Sequence, residues 1–465
     1  VAKRHSKPRT GLIAALDIGT SKVCCMVARV DRPASDDAAR QTPVARVVGV
    51  GHQVSAGIRS GVVTDMDAAE AAIRQAVHAA EQMAGETIQD VTVNLSGGKP
   101  RSETVSVDVT VGGHEVADND LQRVLEKVVL PPRPARNGAN GHGANGHAAN
   151  GHNGTTNGAV SAIVNGRNGD KGGDRELIHT IPIAYALDGN RGIRDPRGMI
   201  GETLGVQVHM ISAAAGTVQT LRTLIERCHL DVEEFVVSPY AAGLAALVED
   251  ETDLGVTVLD MGAGTTDLGV FYDGRLIFAD TIPVGGGHVT NDIARGLSTP
   301  IAHAERLKTL HGNAVASIAD EQDLIDVPQV GEDIHEAPNH VPRSILNGII
   351  QPRMEETFEL VRAHLKDSGV AGFAGRRVVL TGGASQIQGV RELATLILDK
   401  QVRMGRPLRL RGLAEAMAGP AFVTSAGLIA HAISRPETIS APAPVIKGEP
   451  TGLTGRVGAW LRDHF

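Results

Sequence analysis

Two short stretches carry an acid, glycines and hydroxyls in the same order. They are "LDIGTSK" at 16–22 and "LDMGAGTTD" at 259–267. In each, an apolar run ends on a carboxylate, Asp17 or Asp260, and gives way to a glycine turn before a second apolar run. Gly19, Gly262 and Gly264 carry no Cβ, so backbone amides around them, including that of Ala263, can close on an anion. Thr20, Ser21, Thr265 and Thr266 add hydroxyl donors. Lys22 is placed either to neutralise a phosphate or to face solvent. A carboxylate at the strand end repels phosphate but suits Mg²⁺, which keeps several waters and bridges phosphate oxygens. Asp17 and Asp260 are therefore expected to meet Mg²⁺ through water. "LTGGAS" (380–385, with Gly382, Gly383 and Ala384) is a third such loop, and "VGGGH" (284–288, with Gly285 and Gly286) a fourth. One glycine-rich loop is a weak signal. Four at strand ends, two of them matched with their acids, point to a metal–polyphosphate site built by duplication rather than to tight turns alone.

The elements that must carry these loops alternate between strands and helices. Apolar runs at 11–30, 44–63 and 90–98 predict strands. The stretch 65–85 predicts a helix, capped by Asp65 or Asp67, with a stripe of Ile73, Val77, Ala80 and Ala84, and closed by Gly85. Further helices are expected at about 117–130, 216–229, 240–248, 302–312, 344–366, 390–400 and 421–433, with strands at 233–239 and 256–270 and a strand–turn at 376–390. The fold class that results is α/β, two lobes of mixed sheet flanked by helices.

With 465 residues there is room for several domains, and a 42 % hydrophobic fraction supports real cores built from Ala, Val, Leu and Ile, since aromatics are 2 %. A net charge of −8 argues against a nucleic-acid binder. Three cysteines make no disulfide framework and suit a reducing compartment. The opening "VAKRHSKPRT" is basic, lacks the apolar core of a secretory signal, and reads as a disordered arm over 1–10. From 133 to 173 the chain collapses into Asn, Gly, His and Ala, with "NGH" at 140, 145 and 150, and is expected to be a disordered insertion. Residues 434–450 read as a Pro/Ala/Ser linker. In 451–465, Leu453, Val457, Trp460, Leu461 and Phe465 share one side of a helical wheel, the pattern of an amphipathic helix lying on an anionic membrane surface.

The acid–glycine loops resemble those of the actin / heat-shock chaperone / sugar kinase superfamily. "DIGTSK" resembles its first phosphate loop, "DMGAGTTDLG" its second and "LTGGAS" its adenosine loop. "SPYAAGLA" (238–245) and "GPAFVTSAGLIAHA" (419–432) resemble its connecting helices, and Glu305 and Lys308 of "AERLK" its grip on adenosine. Within the superfamily the chain is most similar to the FtsA family of bacterial cell-division proteins, through the extra region near 100–206, "AERLKTLHG", "QPRMEE" and the tail ending "WLRDHF". This likeness implies a duplicated actin-like ATPase fold with subdomain 1A (11–99 and 207–249), 1C (100–206), 2A (250–312 and 378–433) and 2B (313–377), followed by the linker and tail. It also implies ATP and Mg²⁺ as cofactors, and filaments of the protein with itself. Its site would be the inner membrane at the septum, on the cytoplasmic side. The FtsZ tail would dock on 2B, with Arg343, Asn347 and Arg353 as candidate contacts, and later division proteins on 1C.

One position departs from the superfamily's strong ATPases. Where these often carry a glutamate that activates water at the start of the first connecting helix, this chain has Ser238. Serine cannot act as that base at neutral pH, so tight binding with slow or absent turnover is expected. Two other readings share the fold: a pilus-assembly type scaffold, which would not need the tail, and a small-molecule kinase. The kinase reading would require an acid aimed at a substrate hydroxyl, for which the sequence offers no candidate.

Overall fold

The computed structural model describes residues 11–30, 45–128, 161–163, 174–331, 339–408 and 410–434. The chain opens with strands β1 (Gly11–Ile18), β2 (Lys22–Val30) and β3 (Ala45–Val54), then a short hairpin of β4 (Ile58–Arg59) and β5 (Val62–Val63). Helix α1 (Met66–Ala84) follows, as the sequence predicts. Asp65 Oδ1 accepts from the N–H groups of Asp67 and Ala68, and Gly85 ends the helix in the left-handed region at φ 71°. Next is β6 (Asp90–Leu95).

An inserted unit then contributes β7 (Arg101–Thr110), α2 (Asp118–Glu126), β8 (Ser161–Ile163), β9 (Arg175–Leu187), β10 (Asn190–Ile193) and β11 (Thr203–Ala214). The first lobe resumes with α3 (Ala215–Arg227), β12 (Asp231–Val237) and α4 (Ser238–Ala246). The second lobe holds α5 (Glu249–Leu254), β13 (Val256–Met261), β14 (Thr266–Tyr272), β15 (Arg275–Ile282), α6 (Gly286–Gly296), α7 (Ile301–His311), β16 (Leu324–Val327), β17 (Asn339–Pro342), α8 (Arg343–Asp367), β18 (Arg377–Thr381), α9 (Val390–Leu398) and β19 (Gln401–Met404). Helix α10 (Val423–Ser434) returns to the first lobe, packing on β1 and α4.

The two lobes repeat one plan. The first sheet runs β12-β6-β1-β2-β3 and the second β19-β18-β13-β14-β15. In each, two strands lie parallel to the central one and a two-strand antiparallel meander leaves its other side. β1 and β13, which end in the matched acids, occupy the same central place. A strand in mid-sheet has both neighbours fixing its register, so its end is the most rigid platform a lobe offers.

The inserted sheet runs β10-β9-β11-β7-β8 and is antiparallel throughout. Its last strand reaches Ala214, beyond the 206 boundary read from the sequence. Strand β8 lies within the segment expected to be disordered: "SAI" is a short apolar island in the Asn/Gly tract, and the edge of β7 accepts it. The arm at 1–10, the rest of 133–173, residues 435–450 of the linker and the tail at 451–465 lie outside the described residues.

Helices α4 and α10 cross between the lobes. A Cβ on Gly427 would sit 1.8 Å from the Ala241 carbonyl oxygen, so only glycine lets the two backbones meet. Around this crossing a single apolar cluster joins both lobes and the inserted sheet, from Ala15 and Val236 through Ala241 and Ile429 to Val258, Leu276, Ile181 and Ile211.

Candidate functional site

The matched sequences fold as the same turn. Gly19 N–H donates to Lys22 O at 2.9 Å, and Gly262 N–H donates to Thr265 O at 2.8 Å. The two turns face each other: a Cβ on Gly264 would lie 2.4 Å from Thr20 Oγ1 and 2.9 Å from Ser60 Cα. Ser60, at the tip of the β4–β5 hairpin with φ 47°, donates its hydroxyl to Gly264 O at 3.3 Å. That hairpin is a wall of the cleft which the sequence reading did not single out.

The matched acids sit beneath the turns, both buried. Asp17 Oδ2 accepts from Ser425 Oγ at 2.8 Å, and Asp260 Oδ2 accepts from Thr424 Oγ1. Burial raises the Asp17 carboxyl above the usual range, opposed by Lys22 and by the Ser425 hydroxyl. Burial raises Asp260 to about 6, against the Thr424 hydrogen bond and with the help of the Asp17 charge. A third acid, Asp267, accepts from Thr281 Oγ1 at 2.6 Å and from Thr265 Oγ1 at 3.3 Å; burial and then the Asp260 charge push it up to about 8. Three carboxylates held above their ordinary range by burial, two of them also by the charge of a neighbouring acid, are what a divalent cation would relieve. Among the described residues, no group of three or more His, Cys, Asp or Glu is close enough to hold a metal directly.

Behind the acids, Asn94 Oδ1 accepts from the Ile18 N–H at 2.7 Å, and the Ser96 and Ser238 hydroxyls lie 2.7 Å apart. From the other lobe, Ser96 lies near enough to Asp267 to hold its carboxyl down. Ser238 is thus buried in a hydroxyl network at the head of α4, with no carboxylate of its own to offer a water. Lys22 does not stand free in the cleft: Nζ donates to Ala421 O at 2.5 Å and lies 3.8 Å from the centre of the Phe422 ring.

The remaining loops close the other wall. Gly286 N–H donates to Gly262 O at 2.9 Å and Gly287 N–H to Ala263 O at 2.8 Å, seating Gly285 and Gly286 directly against the second phosphate-type turn. Lys308 is buried and its Nζ donates to Gly286 O (3.0 Å), Thr290 Oγ1 (2.8 Å) and Glu305 Oε2 (2.7 Å), while Glu305 itself is half exposed. Thr290, which the sequence reading missed, is the hub between them. It lies one turn along α6 from Gly286, a spacing that could have flagged it. Gly382 has φ 83° and ψ 165°, a conformation open essentially to glycine alone, and Ala384 packs against Gly286. The structure therefore brings Asp17, Gly19, Thr20, Asp260, Gly262, Ala263, Gly264, Thr265, Gly285, Gly286, Glu305, Lys308, Gly382 and Ala384 to one cleft. A Cβ at Gly383 would meet nothing within 4 Å. The side chain of Thr266 is turned away, donating to Val284 O at 2.8 Å.

The three residues read as peptide contacts sit apart from this cleft and are tied into the fold. Asn347 is completely buried: Oδ1 accepts from the Asn313 N–H at 2.8 Å and Nδ2 donates to Asp320 Oδ2 at 2.9 Å. It presents no surface to a peptide. Arg343 Nε donates to His311 O at 2.7 Å and its Nη2 to Gln388 Oε1 at 3.2 Å. Arg353 Nε donates to Asp292 Oδ2 at 2.6 Å and its Nη1 to Glu356, lining a hollow with Ile349 and Pro352. Leu453, Val457, Trp460, Leu461 and Phe465 lie outside the described residues.

A duplicated sheet, crossing helices between the lobes and matched acid–glycine turns facing across a cleft define the actin-like ATPase fold. Solved structures share it. One is the PilM–PilN type IV pilus biogenesis complex, with a TM-score of 0.56 at 15 % identity, covering 92 % of this chain and 99 % of that one. Another is MreB5 of Spiroplasma citri bound to ADP, with a TM-score of 0.50 at 12 % identity, covering 91 % and 97 %. The family model for cell division protein FtsA matches residues 257–427, and that for the SHS2 domain inserted in FtsA matches 158–212. Cell division protein FtsA of Rhizobium meliloti is 42 % identical over 460 residues, covering 98 % of this chain and 96 % of that protein. The Escherichia coli K12 protein is 30 % identical over 458 residues, covering 97 % and 96 %. The chain belongs to the FtsA family of cell division proteins.

Proposed function

We propose that the chain binds Mg·ATP between its lobes and, in that state, assembles with copies of itself on the cytoplasmic face of the inner membrane, where it ties the FtsZ ring to the bilayer at the septum and recruits later division proteins. The observation that carries the reading is the pair of facing turns, each with its buried acid. Gly19, Thr20, Ser21, Gly262, Ala263, Gly264 and Thr265 would offer amides and hydroxyls to phosphate oxygens. Asp17 and Asp260 would orient the waters of Mg²⁺, and Glu305, Lys308 and Gly382–Ala384 would border the nucleoside. Bound Mg²⁺ would supply positive charge against the phosphates and against the three acids. With Ser238 in place of the glutamate that would activate water, the nucleotide acts as a ligand that sets the state of the protein, and hydrolysis is slow or absent.

Membrane attachment rests on the amphipathic pattern of 451–465. Each tail would bind weakly, and many on one filament would hold firmly. For the FtsZ tail, a peptide of mixed apolar and charged residues, the hollow beside Arg353 offers the apolar Ile349 and Pro352 next to an ion network of Arg353 with Asp292 and Glu356 whose partners a charged peptide could exchange. Arg343 borders the same helix at its start, and Asn347 shapes that start from within.

Titration calorimetry with Mg·ATP tests the central claim: saturable heat and a raised melting temperature are expected, and neither would appear if the cleft holds no nucleotide. Removing 451–465 should leave a folded protein that no longer floats with anionic liposomes, and equal flotation would overturn the tether. Co-sedimentation with an FtsZ tail peptide, weakened in Arg353→Ala, separates this reading from a scaffold of another system.

A further inference from the structure

The inserted sheet is rooted in the first lobe yet hydrogen-bonded to the second. It leaves the first lobe after β6 and returns through β11 into α3, and its base is pinned there by the Ala214 N–H on Gly98 O at 2.8 Å. Close to that base, one face of the sheet meets β15, the outer strand of the second lobe. Ser102 Oγ, on β7, accepts the Ala279 N–H at 2.8 Å and donates to Ala279 O at 2.7 Å, so one hydroxyl serves both backbone groups of a strand-edge residue. His209, on β11 and completely buried, has Nδ1 2.9 Å from Leu276 O, to which the neutral ring donates, and Nε2 2.9 Å from Ser102 Oγ, where it shares with Ala279 O the one proton of that hydroxyl. At the rim, Arg194, just past β10, pairs with Asp273 of the β14–β15 turn and lies 4.0 Å from Asp253. Ile181 and Ile211 pack in the same apolar cluster as Leu276 and Ala279.

We infer that Ser102, His209 and Arg194 form a clasp through which the nucleotide cleft moves the inserted domain. The path is short and stiff. β15 pairs along its length with β14, and β14 begins at Thr266 and Asp267, in the second phosphate-type turn. A rotation of the second lobe against the first must carry β15 with it, because sheet neighbours do not slide without breaking their ladder. The inserted sheet, gripped by Ser102 and His209 a few residues from its root and by Arg194 at its rim, is then levered about the joint at Gly98 and Ala214 that stays with the first lobe. The inference rests on the nucleotide reading above and names its output: a surface for protein partners whose tilt depends on the occupant of the cleft. Coupling of this kind is reciprocal, so a protein bound to the inserted sheet would alter nucleotide affinity by the same factor.

Amide exchange of the full chain, with and without saturating Mg·ATP, provides the test. Slower exchange is expected at 17–22 and 260–267, with a change of about threefold or more at Ala279 and along 203–212. In Ser102→Ala the cleft response should persist and the response along 203–212 should vanish, with the Ala279 amide exchanging about five- to tenfold faster in both states. Ser102→Thr keeps the hydroxyl and should restore the response, which a merely structural disturbance would not do. Arg194→Ala should weaken it in part. If the cleft responds and the inserted sheet does not, or if Ser102→Ala combined with Arg194→Ala responds as the wild type does, the clasp is overturned and the nucleotide reading survives. If the cleft itself fails to respond, both fall.

Discussion

Replacing Gly382 by alanine asks the most of the geometry with one carbon atom. At φ 83° and ψ 165° this residue holds a backbone shape that side chains resist, which costs about 1–3 kcal/mol for any other residue. The added Cβ would also lie 2.4 Å from Met261 O and 2.5 Å from Asp260 Oδ1. Met261 is in mid-sheet and cannot yield without disturbing β13, and overpacking of this kind costs a further ~1–3 kcal/mol. The two add to about 2–6 kcal/mol, a large share of the ~5–15 kcal/mol that typically holds a protein folded. Strain that the fold absorbs must appear as displacement of Asp260 or of the Gly382 N–H bond to Pro420 O (3.1 Å), and either would open the cleft. Urea denaturation of the nucleotide-free protein reads the first effect, and calorimetry with Mg·ATP the second. A Gly382→Ala protein within about 1 kcal/mol of wild type in stability would refute the reasoning, because no relaxation in a central strand removes both terms.

Gly383→Ala is the matched control: with nothing within 4 Å of the new Cβ, the melting temperature should not move, while Mg·ATP affinity should drop about tenfold if that space belongs to the nucleoside. Gly427→Val should destabilise the protein by at least ~2 kcal/mol in urea denaturation, since its Cβ would be driven against Ala241 O and the crossing helices parted. Burial lowers His209 from 6.5 to about 4, so the unfolded chain takes up that proton first; the stability from keeping the ring neutral is full above pH 6.5 and is lost as pH falls toward 4. Between pH 7 and pH 5 the loss from this one residue should be about 2 kcal/mol, and His209→Asn should flatten the pH dependence of urea stability by that amount.

Local chemistry made the cleft legible in one dimension. An acid followed by x-Gly at the end of an apolar run is a signal carried by neighbouring residues, and Gly19 and Gly262 indeed close the same turn. Helix α1 was readable for the same reason, with its cap at Asp65 and its stop at Gly85 both in the sequence. Asn347 was not. It belongs to a helix of 25 residues whose polar positions look alike in sequence, and its burial depends on Asn313 and Asp320 folding back onto it. The role of Asp267 was hidden likewise, since its carboxyl is raised by burial and by the Asp260 charge across the turn, which only the folded chain brings about. The clasp lay out of reach because Ser102 and Ala279 are 177 positions apart and neither type stands out in its strand.

Thr424 and Ser425 are consecutive on α10, yet each grasps the acid of a different lobe. Neighbours on a helix point about 100° apart, so one short segment can look both ways only where the two strand ends flank its axis. The helix is thereby a common spoke: a shove on Asp17 or on Asp260 reaches the same rod, and neither carboxylate can shift without its twin registering it.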